Sequence, residues 1–127
     1  MAKWEYTQTP LGMVREFATV MGQPIGQKWD AVNNPMESLR FGLIEEEFLE
    51  FQEEVDDPAK ALKELADLVY VCYGYAATFG WDLDEAVKRV HQSNMSKLGD
   101  DGKPIYREDG KVLKSKNYKK PDLSDLV

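Results

Sequence analysis

Apolar residues recur at helical spacing through most of the first hundred positions and stop doing so after Gly99. Thr9 suits a cap, Pro10 suits a first helical position, and Leu11, Val14, Phe17, Ala18 and Met21 form one stripe that Gly22 can close, so a first helix is predicted there. Gln23 to Asn33, with Pro24 and Gly26, reads as a loop crossing over the bundle. Asn34-Pro35 with Glu37 is a capping signature for a second helix running to about Glu54, with Ile44, Phe48, Phe51 and Val55 as its apolar stripe. Asp57-Pro58 opens a third helix ending near Gly80; Asp82 and Glu85 open a fourth, Leu83 to about Leu98, which Gly99 stops. Beyond it, Pro104 to Glu108 and Lys111 to Lys114 flank Asp109-Gly110, a hairpin signal with a type I′ turn, and an extended tail follows from Pro121. Before the first helix, Trp4 and Tyr6 are expected to pack as an arm. The predicted fold is all-α, a four-helix bundle with a short C-terminal β-hairpin. It forms a single domain over residues 1–127, with a helical core at about 10–98 and the hairpin and tail at about 100–127.

The third helix changes the picture. Leu68 to Ala77 is apolar or aromatic nearly all round, more than a monomer of 127 residues readily covers, which predicts a subunit interface and a homodimer or homotetramer. Tyr73 and Tyr75 are also candidates for stacking on a base. With 43% hydrophobic and 31% charged residues the chain reads as a soluble globular domain. No signal peptide is visible, and the longest apolar run, Leu68 to Trp81, is too short and too rich in Gly and Tyr for a membrane span, so a cytoplasmic protein is expected. Cys72 is alone and mid-helix, which suits a small buried hydrophobe. The net charge of −7 argues against binding nucleic acid, but the charge is unevenly placed. Glu45 to Asp57 holds eight acids and no base, whereas Lys103 to Lys120 holds seven bases and two acids. An acidic helix and a basic tail together suit a metal-dependent enzyme acting on a polyphosphate; the plainer alternative is two solvated faces.

At about 100° per residue, Glu47 and Glu50 lie one turn apart along the edge of the second helix's apolar stripe. Glu64 falls inside the arc of Ala61, Leu68, Val71 and Tyr75, with Asp67 at its margin. Carboxylates on a core-facing stripe need a Lys or Arg neighbour or a divalent cation. Four carboxylates with no nearby His suit Mg²⁺ or Mn²⁺. Arg40, two turns before Glu47, either grips a phosphate or pairs with a glutamate. Trp29 is either a lid or base-stacking residue or an anchor for its loop. On the fourth helix Val87, Val90, Asn94 and Leu98 share a face with Lys97 near its edge, an amide and an ammonium suited to contacts at the carboxylate site. His91 lacks a metal partner at helical spacing and reads as packing. Lys111, Lys114, Lys116 and Tyr118 either fold over a triphosphate or wrap a neighbouring subunit.

Glu46-Glu47-Phe48-Leu49-Glu50 followed after thirteen residues by Glu64-Leu65-Ala66-Asp67 resembles the paired motif of the MazG-like all-α nucleoside triphosphate pyrophosphohydrolases, a superfamily that includes phosphoribosyl-ATP pyrophosphohydrolase. Ser93 to Leu98 resembles the Asn and Lys segment of that family's last core helix. Asp101 to Pro104 through Asn117-Tyr118 resembles the C-terminal hairpin of one subgroup. The resemblance implies a helical bundle completed by dimerisation, often as a dimer of dimers, and Mg²⁺-dependent cleavage of an NTP or dNTP to the monophosphate and pyrophosphate. It implies Glu47, Glu50, Glu64 and Asp67 as metal ligands, Glu46 and Glu47 as the catalytic carboxylates with Glu46 orienting water, and Asn94 and Lys97 on the sugar or phosphates. Arg40, Lys111, Lys114, Tyr118 and Trp29 complete the candidate substrate contacts. Phosphoribosyl-ATP is the alternative substrate; the subgroup-like hairpin favours free nucleotides. A di-iron carboxylate bundle would need Glu-x-x-His pairs, and Lys88 stands where His91 would need its Glu. A non-catalytic helical assembly or binding module is the reading from another class. It does not explain Glu64 among Ala61, Leu68 and Val71.

Overall fold

A computed structural model describes residues 8–127. Trp4 and Tyr6 lie outside the described residues. The fold is all-α: α1 (Pro10–Val20), α2 (Pro35–Glu53), α3 (Pro58–Phe79) and α4 (Leu83–Met95), then a two-stranded hairpin of β1 (Ile105–Tyr106) and β2 (Val112–Leu113) and a 3₁₀ turn at Ser124–Leu126. Contacts divide the chain into two compact units, one ending at Leu83 and one running from Asp84 to Val127. Among the described residues no helix is long and apolar enough to cross a membrane.

In the first unit each helix starts where a side chain replaces missing backbone partners. Thr9 Oγ1 accepts from Gly12 N–H at 3.1 Å, Asn34 Oδ1 from Met36 and Glu37, and Asp57 Oδ1 from Ala59 and Lys60, each cap being followed by Pro at the first helical position. Gly80 ends α3 at φ +70°, with Trp81 N–H reaching back to the Ala76 carbonyl. A Cβ at Gly80 would also meet Gly26 Cα at 3.2 Å, because the α1–α2 loop docks on this end of α3 through Gly26 N–H to Ala77 O and Gln27 N–H to Thr78 O. The core is small: Leu11 and Val14 of α1 meet Ala76 and Ala77 of α3, with Tyr73, Trp81 and Leu83 packed around them.

α2 packs along α3 more extensively than α1 does, yet buries no residue completely. Here the expectation of a core-facing stripe is only partly met. Phe48 is 50% exposed, and Val55, past the helix end, is 78% exposed. One neighbouring helix covers one side of α2, and the large apolar residues on its other sides stay open. α3 likewise leaves Leu62, Leu65 and Val69 exposed.

In the second unit α4 ends at Met95, three residues before the expected Leu98. Ser96 Oγ donates to Ser93 O at 2.6 Å, and Lys97 and Leu98 N–H reach back only three residues, which tightens the last turn off the α-helix. The tail runs along this helix: Ser93 Oγ donates to Lys119 O, Lys119 N–H to Ser96 Oγ, and the Arg89 guanidinium bonds Asp122 O and the Asp125 carboxylate. The predicted extended tail therefore closes in a 3₁₀ turn. β1 and β2 pair antiparallel, Ile105 with Leu113 and Tyr106 with Val112. Their turn is not type I′, which would place Asp109 at positive φ; among the described residues only Asn33 does so without being glycine. Gly110 at φ +89° instead follows Glu108 and Asp109 in a three-residue loop, closed by Arg107 N–H to Lys111 O at 2.8 Å. The Asp109 carboxylate accepts from Lys111 N–H and grips the Arg107 guanidinium, bonds that hold it ahead of the glycine.

Candidate active site

Four residues, Glu54 to Asp57, separate α2 from α3, so the two helices pack as an antiparallel hairpin. The 47–50 turn of α2 therefore faces the 64–67 turn of α3. Glu47, Glu64 and Asp67 are each half-buried, and one carboxylate oxygen from each lies within 4.8 Å of the others. Two oxygens of this group, Glu47 Oε2 and Glu64 Oε2, are shut off from solvent with no hydrogen-bond donor. Burial pushes the Glu47 carboxyl up from its ordinary range, followed by a side-chain hydrogen bond and repulsion from Glu50 and then by the charges of Asp67 and Glu64. Glu50 is exposed but joined to the cluster through that bond.

Against these acids stands one cation that sequence reasoning left unnamed. Lys63 Nζ lies 2.6 Å from Asp67 Oδ2 and 3.6 Å from Glu64 Oε1. Its spacing four residues before Asp67 was the available signal. Its ammonium is largely exposed and leaves both dry oxygens without a donor. A set of three convergent carboxylate oxygens, with no nitrogen or sulfur among them, fits a hard cation such as Mg²⁺.

The other candidates fall in several places. Glu46 is exposed and stands outside the convergent three, as expected about 100° round the helix from Glu47. Arg40 pairs with no glutamate among the described residues; its NH2 donates to Gln23 Oε1 at 3.3 Å. Trp29 is tied into its own unit, its Nε1 donating to the Tyr75 hydroxyl at 2.7 Å and its ring centre 5.7 Å from that of Trp81. These contacts anchor its loop while leaving Trp29 43% exposed, with Tyr75 and Phe79 completing an aromatic cluster. Asn94 is exposed on α4, and Lys97 follows the helix end, both in the second unit. Lys111 is exposed at the hairpin, the Lys114 ammonium sits 4.5 Å from the Tyr118 ring centre, and Lys116 pairs with Asp100.

No individual curated protein matches the chain. The profile of the phosphoribosyl-ATP pyrophosphohydrolase family matches residues 14–94, from α1 through α4 and across both carboxylate turns. A match over well more than half of the sequence places the chain in the phosphoribosyl-ATP pyrophosphohydrolase family, and its chemistry is accordingly hydrolysis of a phosphoric anhydride in a nucleotide.

Proposed function

We propose that the protein releases pyrophosphate from a nucleoside or deoxynucleoside triphosphate by water attack at the α-phosphorus, with Mg²⁺ held by Glu47, Glu50, Glu64 and Asp67. The observation that carries this reading is the pair of donorless buried oxygens, Glu47 Oε2 and Glu64 Oε2, in a cluster of carboxylates within 4.8 Å. A buried acceptor without a partner costs about 1–3 kcal/mol, and more when charged. An all-oxygen donor set relieves that cost best with Mg²⁺, or with Mn²⁺ in its place. When bound, the cation would offset the polyphosphate charge and make a water acidic enough to attack. The chain's own residues do the rest. Glu47 and Glu50 hold one wall of the cluster and Glu64 and Asp67 the other. Glu46, exposed on the same turn of α2, orients the water, and a nearby carboxylate takes its proton.

A second reading, phosphoribosyl-ATP as substrate, is favoured by the family match itself. The hairpin and tail lie beyond the matched residues and favour free nucleotides. The exposed Leu62, Leu65 and Val69, which line a cavity of about 390 Å³ between α1 and α3, support the further proposal that a second copy of the chain covers this face. The deciding experiment is product analysis with Mg²⁺ on a panel of NTPs, dNTPs and phosphoribosyl-ATP, resolving pyrophosphate from orthophosphate. Mg²⁺-dependent pyrophosphate release lost in Glu47→Gln and Asp67→Asn is the expected result, and the panel ranks the substrates. Orthophosphate as product would overturn the site of attack.

A further inference from the structure

A crevice of about 140 Å³ opens between α1 and α2 over α3, walled by Phe17 and Ala18, Arg40 and Leu43, and Tyr70 and Gly74. That is close to the roughly 150 Å³ of an apolar cavity that takes up benzene, so it has room for one six-membered ring of a base. It is reached from the carboxylate cluster along two helices at once. Glu47 to Arg40 is seven residues up α2 and Asp67 to Gly74 seven along α3, each about 10 Å of rise.

The guanidinium at its far end is seated with care. Gly74 lies in the interior of α3, where glycine costs about 1 kcal/mol relative to alanine. A Cβ there would stand 3.3 Å from Arg40 NH1, close enough that the guanidinium would have to give by a few tenths of an ångström. Arg40 is half-buried, yet among the described residues no carboxylate ion-pairs with it. Its partner is the Gln23 side-chain oxygen, at 3.3 Å. Because guanidinium only donates, the Gln23 oxygen is the atom turned toward it, which leaves the Gln23 NH2 as a further donor beside Arg40. A small, mostly apolar crevice therefore ends in a guanidinium, a group that can only donate.

We propose that Arg40, steadied by Gln23, reads the base of the substrate and selects a keto edge over an amino edge. The proposal rests on the pyrophosphohydrolase reading, which puts the α-phosphate at the carboxylates and the nucleoside along the crevice. Guanine presents two adjacent acceptors, O6 and N7, that arginine meets with two parallel bonds, and uracil and thymine present O4. Adenine and cytosine set an amino group there, which the guanidinium, having no acceptor, leaves facing another donor. Phe17 and Tyr70, edge to face at 5.7 Å, supply an apolar wall for the ring. A phosphate in the same place would meet a single cation among apolar groups.

The test is kcat/KM with Mg²⁺ for dGTP, dUTP, dTTP, dATP and dCTP on the wild type, Arg40→Met and Gln23→Glu. The wild type should rank keto above amino bases. Arg40→Met should lower the keto-to-amino ratio roughly 10- to 100-fold, through KM rather than kcat. Gln23→Glu gives the guanidinium a carboxylate to hold and should collapse the same ratio. Its position in a loop keeps the test available if Arg40→Met does not fold. An unchanged ranking or an equal loss on all five nucleotides would overturn the assignment. If no nucleotide is turned over, the pyrophosphohydrolase reading fails on its own, and calorimetry with GMP, UMP, AMP and CMP judges the crevice separately. Tighter keto binding that Gln23→Glu removes would support it, and equal or absent binding would overturn it.

Discussion

Replacing Glu47 by Gln should make the metal-free protein more stable than the parent and the Mg²⁺-loaded protein less stable. The amide keeps the shape, removes a charge set against Glu50, Glu64 and Asp67, and brings an NH2 able to donate to the dry Glu64 Oε2. An unsatisfied buried acceptor costs about 1–3 kcal/mol, and because Glu47 is only half-buried the relief should sit at the low end, about 1 kcal/mol. For a domain of this length that is a rise in Tm of about 4 °C. With Mg²⁺ at 100 times its Kd, the parent gains about 2.7 kcal/mol by mass action. The variant, one ligand short, gains far less, so the two melting curves exchange order. The pH dependence follows the same sign. The folded-state Glu47 holds its proton above the ordinary 4.5, so between that value and the raised one the folded state binds more protons than the unfolded. Stability of the metal-free parent therefore falls as pH rises through that window, and the Gln variant should lack the slope. Thermal melting across pH, with EDTA or with Mg²⁺ at constant ionic strength, reads all three effects. A variant melting below the parent in EDTA, or a parent gain that Na⁺ reproduces at equal ionic strength, would refute the cage and leave a solvated acidic face.

Trp29→Phe removes the indole donor to the Tyr75 hydroxyl and should cost about 1 kcal/mol in urea unfolding. Tyr75→Phe should cost a similar amount, and the double variant little more than either; strictly additive costs would mean that the bond contributes nothing. In the second unit the Arg89 guanidinium beside Asp125 holds that carboxyl below its ordinary range. A depressed acid contributes stability above its unfolded value that is lost as pH falls through the folded one, so acid should release the 3₁₀ turn at Ser124–Leu126. Asp125→Asn should release it at neutral pH, read as loss of hydrogen-exchange protection at the Leu126 amide, and protection equal to the parent's would sink the idea.

The starts of α1, α2 and α3 were legible from Thr9, Asn34 and Asp57, each followed by Pro, because a cap is settled by a few neighbouring atoms. The end of α3 at Gly80 was legible for the same reason, since only glycine adopts φ +70° there without strain. The carboxylates were legible because helical spacing alone puts Glu47 with Glu50 and Glu64 with Asp67 on common edges. Local rules failed where a side chain from elsewhere in the chain intervened. The end of α4 and the course of the tail depend on Ser93, Ser96 and Arg89 finding partners between residues 119 and 125. The hairpin turn depends on where the Asp109 carboxylate bonds, which the Asp-Gly pair alone leaves open.

By itself, then, the sequence determined where the four helices begin, which residues are helical apart from Ser96 to Leu98, and which acids share an edge, all consequences of interactions spanning a few residues. Only the tertiary structure decided that Glu47, Glu64 and Asp67 converge within 4.8 Å, that two of their oxygens are dry, and that Arg40 turns to Gln23 over a bare Gly74. Those outcomes depend on how closely α2 and α3 approach and which turns they set opposite each other. That is a property of packed surfaces, which no single helix carries in its own periodicity.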